Sequence, residues 1–317
     1  MTGNDEARGG LTSRRSPSPV LRSRKVQRAG FILAFLSPAL LLYGGFVVYP
    51  LVKALQFSTY RWRGVSIRRT YVGLDNFHRL AGDAGFGASV RNNLALLVMA
   101  GGAIFVLALL IAHAIRAPGR LARGVRAFLL FPQMISVVVV AVLWQFVLNP
   151  DGLLNAGLRA VGLGGLARTW LGDPRWALAS VGVAFVWASL GFTVLLLAAG
   201  LRAIPEETNE AAALDGSVGF HRFRTVTWPL LWSVKRVATV SLIVNVMNVF
   251  ALPFLMTRGG PDRSSESMLT YLYEQAFANS TFGYATAVAV GDFALVMALS
   301  LLVLFVLRRD PTAGRSR

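Results

Sequence analysis

The chain has 317 residues, 55% hydrophobic and 15% charged, where soluble domains carry about 25% charged residues; this is the composition of a membrane protein. It has no cysteine and only three dispersed histidines, His78, His113 and His221, which excludes disulfide frameworks and thiolate chemistry and leaves no metal centre or catalytic cluster in view. The formal charge of +17 comes from 32 basic and 15 acidic residues, a surplus that in a membrane chain is informative through its positions rather than its sum.

Residues 1–28 are rich in Ser, Arg, Gly and Pro and lack an apolar period. They read as a disordered basic tail on the cytoplasmic side, lying near anionic headgroups. The apolar run that follows is far longer than the core of a signal peptide and has no A-x-A site after it, so it is expected to remain as a helix. Charge-free stretches then place six spans at about 30–52, 92–115, 127–148, 176–201, 237–257 and 286–307, each long enough to cross a bilayer. Solid apolar runs of this length exclude a barrel, so the fold expected is an all-α membrane protein with a single six-span domain over 29–309 and a short cytoplasmic tail at 310–317. Of the 32 Lys and Arg, 20 fall in the two tails and in the connections 116–126 and 202–236, which puts both termini in the cytoplasm.

On the opposite side three segments are long enough for recognition: 53–91, 151–175 and 258–284. In the last, Leu269, Leu272, Tyr273, Ala276 and Phe277 form the stripe of an amphipathic helix on the outer surface. The connection 204–230 between spans four and five has its own design. Pro205, Glu206 and Glu207 suit the first turn of a helix, Ala211 to Leu214 sustain it, and Gly216 can take the positive φ that ends it. Ser217 is expected to cap a second short helix with Phe220, Phe223 and Val226 on one face, stopped at Pro229. Two short helices bent at a glycine and tied to two spans make a rigid knob.

Glu210-Ala211-Ala212, then, after the three residues Ala213 to Asp215, Gly216, and later Pro229-Leu230, resemble the EAA loop of the membrane-spanning subunits of bacterial ABC importers, in the form EAAALDGS followed by FRTVTWPLL that looks like the carbohydrate-uptake branch. Further likeness lies in Tyr71 to Phe77, Leu148 to Asn155 and Thr257 to Pro261. Together these look like the first permease of maltose-type and glycerol-phosphate-type systems. Trp228 departs from the pattern, which more often has an aliphatic residue before the proline. The resemblance implies a type I importer transmembrane domain whose EAA loop is seated on a cytoplasmic ATPase dimer, with Glu210, Ala211, Ala212, Asp215, Gly216 and Pro229 as coupling residues. It also implies a second six-span permease and an extracytoplasmic solute-binding protein as partners. Glu210 is expected to make an ionic contact or a helix-capping interaction there, and Gly216 the bend. The chain itself has no G-x-x-x-x-G-K-[ST] loop, so ATP belongs to the partner and no cofactor, metal or catalytic residue is expected in this chain.

Within the spans, Asn245 and Asn248 lie three residues apart, either to hydrogen-bond sugar hydroxyls or to hold helices together. Trp187 and Phe250, with Trp144 and Phe254, could stack on sugar rings or simply pack. Asp292 is the one acid deep in an apolar run, a candidate proton site or a solvated acid near the start of its helix. Pro50 and Pro253 are expected to kink or end their helices. An ion-coupled transporter acting alone is the competing reading, weakened by the absence of an inverted repeat; a membrane enzyme lacks any clustered nucleophile and base.

Overall fold

The computed structural model describes residues 19–308 apart from 65, 117 and 118, with side chains from 31 onward. Most of the basic tail and the segment 310–317 therefore lie outside the described residues. The chain separates at Lys53 and Ala54 into two units. The first is a helical run from Pro19, a π turn at Gly44–Val48 and the beginning of the helix Tyr49–Ser58. Helix is thus present from Pro19, earlier than the tail boundary at 28. Pro50 does not end its helix. It follows the π turn, within the first turn of the next helix, where its missing N–H is not required.

Among the described residues, six helical segments are long and apolar enough to cross a membrane, Phe31–Ser58, Ala84–Ala114, Val137–Ala160, Ala177–Arg202, Trp232–Thr257 and Phe282–Val306, called here spans one to six. Span two begins eight residues before the expected Asn92, because Asp83 caps it: Oδ1 accepts from the N–H groups of Gly85 at 2.8 Å and Phe86 at 3.2 Å, and the exposed Arg91 is carried on the helix rather than ending it. The third crossing departs most. The expected 127–148 straddles a break at Ile135 and Ser136 between the helices Arg120–Met134 and Val137–Leu148; Pro132, in the last turn of the first, favours termination there. Span five is likewise broken, between Trp232–Met247 and Ala251–Thr257, and Pro253 falls in the first turn after that break.

Within the second unit, span four is the central post. Val181, Ala184, Val194, Leu197 and Leu201 on it are fully shielded and meet small residues of span two, Ala100, Ala108 and Ala112, so that backbones approach closely. One end of the bundle carries the connection 203–231. The other carries a two-stranded hairpin, Tyr60–Arg61 with Thr70–Tyr71, and a polar girdle. There Asn92 donates to the carbonyls of Arg263 at 2.7 Å and Glu266 at 3.0 Å, Asn93 donates to Met247 at 2.8 Å, and the hydroxyls of Tyr271 and Tyr284 both donate to Oδ2 of Asp83. Burial opposes ionisation of Asp83, but those two hydroxyls and the two backbone N–H groups outweigh it and hold the carboxyl below its ordinary value.

The segment after span five is helical from Met268 through a π turn ending at Ala278, yet its buried face differs from the expected stripe. Met268, Tyr271, Gln275 and Ala276 point inward, whereas Tyr273 and Phe277 are exposed. The offset is present from the first turn, where Met268 and Tyr271 rather than Leu269 and Leu272 are buried, and Tyr273 joins a ring cluster with Phe254 at 4.8 Å and Phe277 at 4.9 Å.

Candidate functional site

The connection 203–231 folds as two short helices. The first, Glu206–Leu214, begins after Pro205 with Glu206 and Glu207 in its first turn, where the positive end of the helix dipole stabilises them. Gly216 has φ +75° and turns the chain through the left-handed region that glycine adopts without strain. The second runs from Gly219 through a π turn at Phe223–Thr227 to Leu230. Pro229 therefore does not stop it; the π turn precedes the proline and the chain ends its helix at Leu231 instead. Ser217 is not the cap either. Val218 occupies that position without a side-chain cap, and Ser217 Oγ lies 3.4 Å from Thr225 Oγ1, tying the bend to the second helix.

The rear of this connection is anchored. Ala212 is 7% exposed and Asn209 3%, the carboxylate of Glu206 lies 3.8 Å from Arg116 beyond span two, and Lys235 Nζ donates to the Trp228 carbonyl at 2.6 Å. Its front is bare and apolar, with Leu214 89%, Phe220 77% and Val218 66% exposed. Ala211, Asp215, Gly216 and Glu210 share the exposed surface. Glu210 sits mid-helix with its side chain exposed, open to a partner. Phe220 is exposed rather than facing inward with Phe223, which stacks against it at 6.1 Å and meets His113 of span two at 5.9 Å.

A second location is a cavity of about 430 Å³ between the helix Arg120–Met134 and spans four and five. Gln133, Ser189, Thr193, Ser241 and Asn245 bring polar groups to it, beside Phe185 and Phe192. Of the four residues expected along a substrate path, only Asn245 lies here. Asn248 is absent from the lining: its side chain donates to the carbonyl of Val244 at 2.8 Å, capping the broken end of its own helix. Trp187 meets Trp144 edge to face at 6.1 Å in a separate apolar groove of about 490 Å³ with Met99 and Gly182. Phe250 stacks on Phe254 at 5.0 Å near the opposite end. The expected set is thus dispersed over three places. Ser189 with Thr193, and Ser241 with Asn245, are each four apart on one helix face, a spacing that would have located the cavity from sequence.

Asp292 is 6% exposed, stands well inside span six, and has Oδ1 without a partner among the described residues; it is neither solvated nor at the helix start. Among the described residues no group of His, Asp and Glu is arranged to hold a metal.

Residues 104–309 match the family model described as binding-protein-dependent transport system inner membrane component. The chain belongs to that family. It is accordingly a multi-pass cell-membrane permease, a member of a transport family rather than an enzyme family. This inner membrane component is 34% identical over 274 residues to the probable ABC transporter permease protein YurN of Bacillus subtilis, covering 84% of this chain and 92% of that protein. It is 32% identical over 316 residues to the diacetylchitobiose uptake system permease protein NgcF of Streptomyces coelicolor, covering 94% and 90%. It is 31% identical over 277 residues to the alpha-glucoside transport system permease protein AglF of Rhizobium meliloti, covering 84% and 79%. Its fold matches a chain in the crystal structure of a bacterial ABC transporter involved in import of the acidic polysaccharide alginate, with a TM-score of 0.78 at 21% identity over 92% of this chain and 99% of that one.

Proposed function

We propose that this permease imports a carbohydrate delivered by a solute-binding protein, forms its path with a second six-span permease, and is driven by a cytoplasmic ATPase dimer that grips the connection 203–231. The carbohydrate class is supported by its relatives, which include uptake proteins for diacetylchitobiose and alpha-glucosides, and by the cavity, whose amides and hydroxyls can pair with sugar hydroxyls while Phe185 and Phe192 can face apolar C–H surfaces.

The observation that carries the energetic coupling is the two-sided construction of the connection. Its rear is tied to Arg116 just beyond span two and to Lys235 of span five, with Ala212 buried, and its front exposes Leu214, Val218 and Phe220 on a short bent pair of helices. An apolar knob of this kind is unfavourable in water and suited to a groove on a protein partner. With most basic residues on that side, the connection and both termini face the cytoplasm, and ATP is bound by the partner.

The test is affinity purification of this chain from its native host followed by reconstitution into proteoliposomes. Co-purification of an ATPase and a second six-span subunit, with saccharide uptake dependent on internal ATP, is expected. Uptake by the isolated chain driven by an ion gradient would refute the proposal in favour of an ion-coupled carrier.

A further inference from the structure

The second short helix and the head of span five meet at a buried cation. Lys235, in the first turn of the helix Trp232–Met247, is 9% exposed, and among the described residues no carboxylate forms an ion pair with it. Removing an ammonium from water without a counter-ion is costly unless other groups compensate. Here the compensation comes entirely from one residue. Nζ donates to the Trp228 carbonyl at 2.6 Å and stands 3.7 Å from the centre of the Trp228 ring. That carbonyl belongs to the last helical residues before Leu231, the negative end of the second short helix, where a cation is favoured. A ring face adds an attraction that strengthens when both partners are desolvated.

Trp228 is held from two further directions. Its ring meets Phe105 of span two edge to face at 6.4 Å and Phe223 of the π turn at 6.0 Å. The adjoining Leu231 is fully shielded. Along span five, Lys235 shares a helix face with Ala238, Leu242 and Asn245, which follow at three, seven and ten residues and line the polar cavity. The grip on Trp228 and the cavity wall are therefore parts of one helix face, about one to three turns apart.

We propose that Lys235 is a positioning residue that latches the second short helix onto span five through Trp228, so that displacement of the connection is delivered to the cavity wall rather than absorbed at Leu231. The proposal rests on the reading of the connection as the ATPase seat. It assigns to Trp228, the one departure from the family pattern in this segment, a partner within the same chain.

The test uses the assembled complex and exploits the cysteine-free sequence. In a Ser241→Cys background, the rate of modification by N-ethylmaleimide reports the cavity wall, measured without nucleotide and after trapping with ATP and vanadate. Trapping is expected to change that rate by about tenfold with Lys235 present and by less than about twofold in Lys235→Met, while subunit assembly and basal ATP hydrolysis stay within about twofold. Trp228→Leu should lose the response likewise, and Lys235→Met with Trp228→Leu together should do no worse than either alone. A full response in Lys235→Met, additive losses in the pair, or loss of assembly and hydrolysis along with the response would each overturn the latch. Leu214→Arg separates the two readings. If that variant leaves the trapping response intact, the ATPase-seat reading fails; if it abolishes the response while Lys235→Met does not, the latch alone fails.

Discussion

Gly191 on span four lies against the backbone of Leu129, so close that a Cβ at 191 would collide with the Leu129 carbonyl oxygen. A backbone atom cannot swing aside as a side-chain tip does, and Ser189, Phe192 and Thr193 beside Gly191 line the cavity. Gly191→Ala is therefore expected to push the helix Arg120–Met134 outward at a cost of about 1–3 kcal/mol. A drop of several degrees in the melting temperature of the detergent-purified complex would show it; an unchanged melting curve would contradict the packing described.

The connection 203–231 makes two kinds of substitution separable. Gly216 has φ +75° with open space around a would-be Cβ, so Gly216→Ala carries only backbone strain of about 1–2 kcal/mol and should retain part of the transport-coupled ATP hydrolysis. Gly216→Pro, whose ring fixes φ near −65°, should abolish it. Ala212 is buried, so Ala212→Glu is expected to unfold the knob, seen as rapid proteolysis within 204–230. Resistance to protease in that variant would mean that Ala212 is not packed as described.

The two asparagines of span five should behave differently. Asn245→Ala removes a cavity amide and should lower saccharide uptake about tenfold or more with ATPase docking intact, because a lost hydrogen bond to a desolvated hydroxyl leaves its partner unpaired. Asn248→Ala removes a helix cap worth about 1 kcal/mol and should reduce thermal stability with a smaller effect on uptake. Equal effects on uptake from the two variants would return Asn248 to the substrate path.

How much of this was legible in the sequence follows from what sequence patterns encode. Apolar length and arginine placement disclosed six spans, and the EAA pattern with Gly216 disclosed the bent knob. The break at Ile135–Ser136 was not legible, since one serine in an apolar run does not mark a helix end, whereas the break at Asn248–Phe250 lies just before Pro253, where a kink or end was expected. The π turn at Phe223–Thr227 runs directly into Trp228–Leu230, so the helix continues past Pro229, and Tyr273, just before the π turn at Glu274–Ala278, faces outward among the rings of Phe254 and Phe277. Asn245 and Asn248 look equivalent at a spacing of three, but the helix end falls between them and turns one into a cap.

At the opposite end, Arg263 binds Glu266 at 2.6 Å and Glu274 at 2.9 Å. Burial pushes the Glu266 carboxyl up to about 7, against the pull of Arg263 and with the push of Glu274. A raised acid favours the folded segment while protonated, so this contribution is present in full below the ordinary value of 4.5 and is lost as pH rises through about 7. Amide exchange across 258–267, corrected for intrinsic rates, should therefore be slower at pH 6 than at pH 8, and Glu266→Gln should flatten the difference. The same pH dependence in Glu266→Gln would remove this carboxyl from the explanation.

The central claim, that the knob at 203–231 is a cytoplasmic handle held by an ATPase, is tested most directly by labelling Leu214→Cys, the sole cysteine in the chain, with a membrane-impermeant maleimide. Labelling is expected only in inverted vesicles, with protection when the ATPase is bound and its return when the ATPase is stripped. Labelling from outside intact cells, or equal labelling with and without the ATPase, would contradict it.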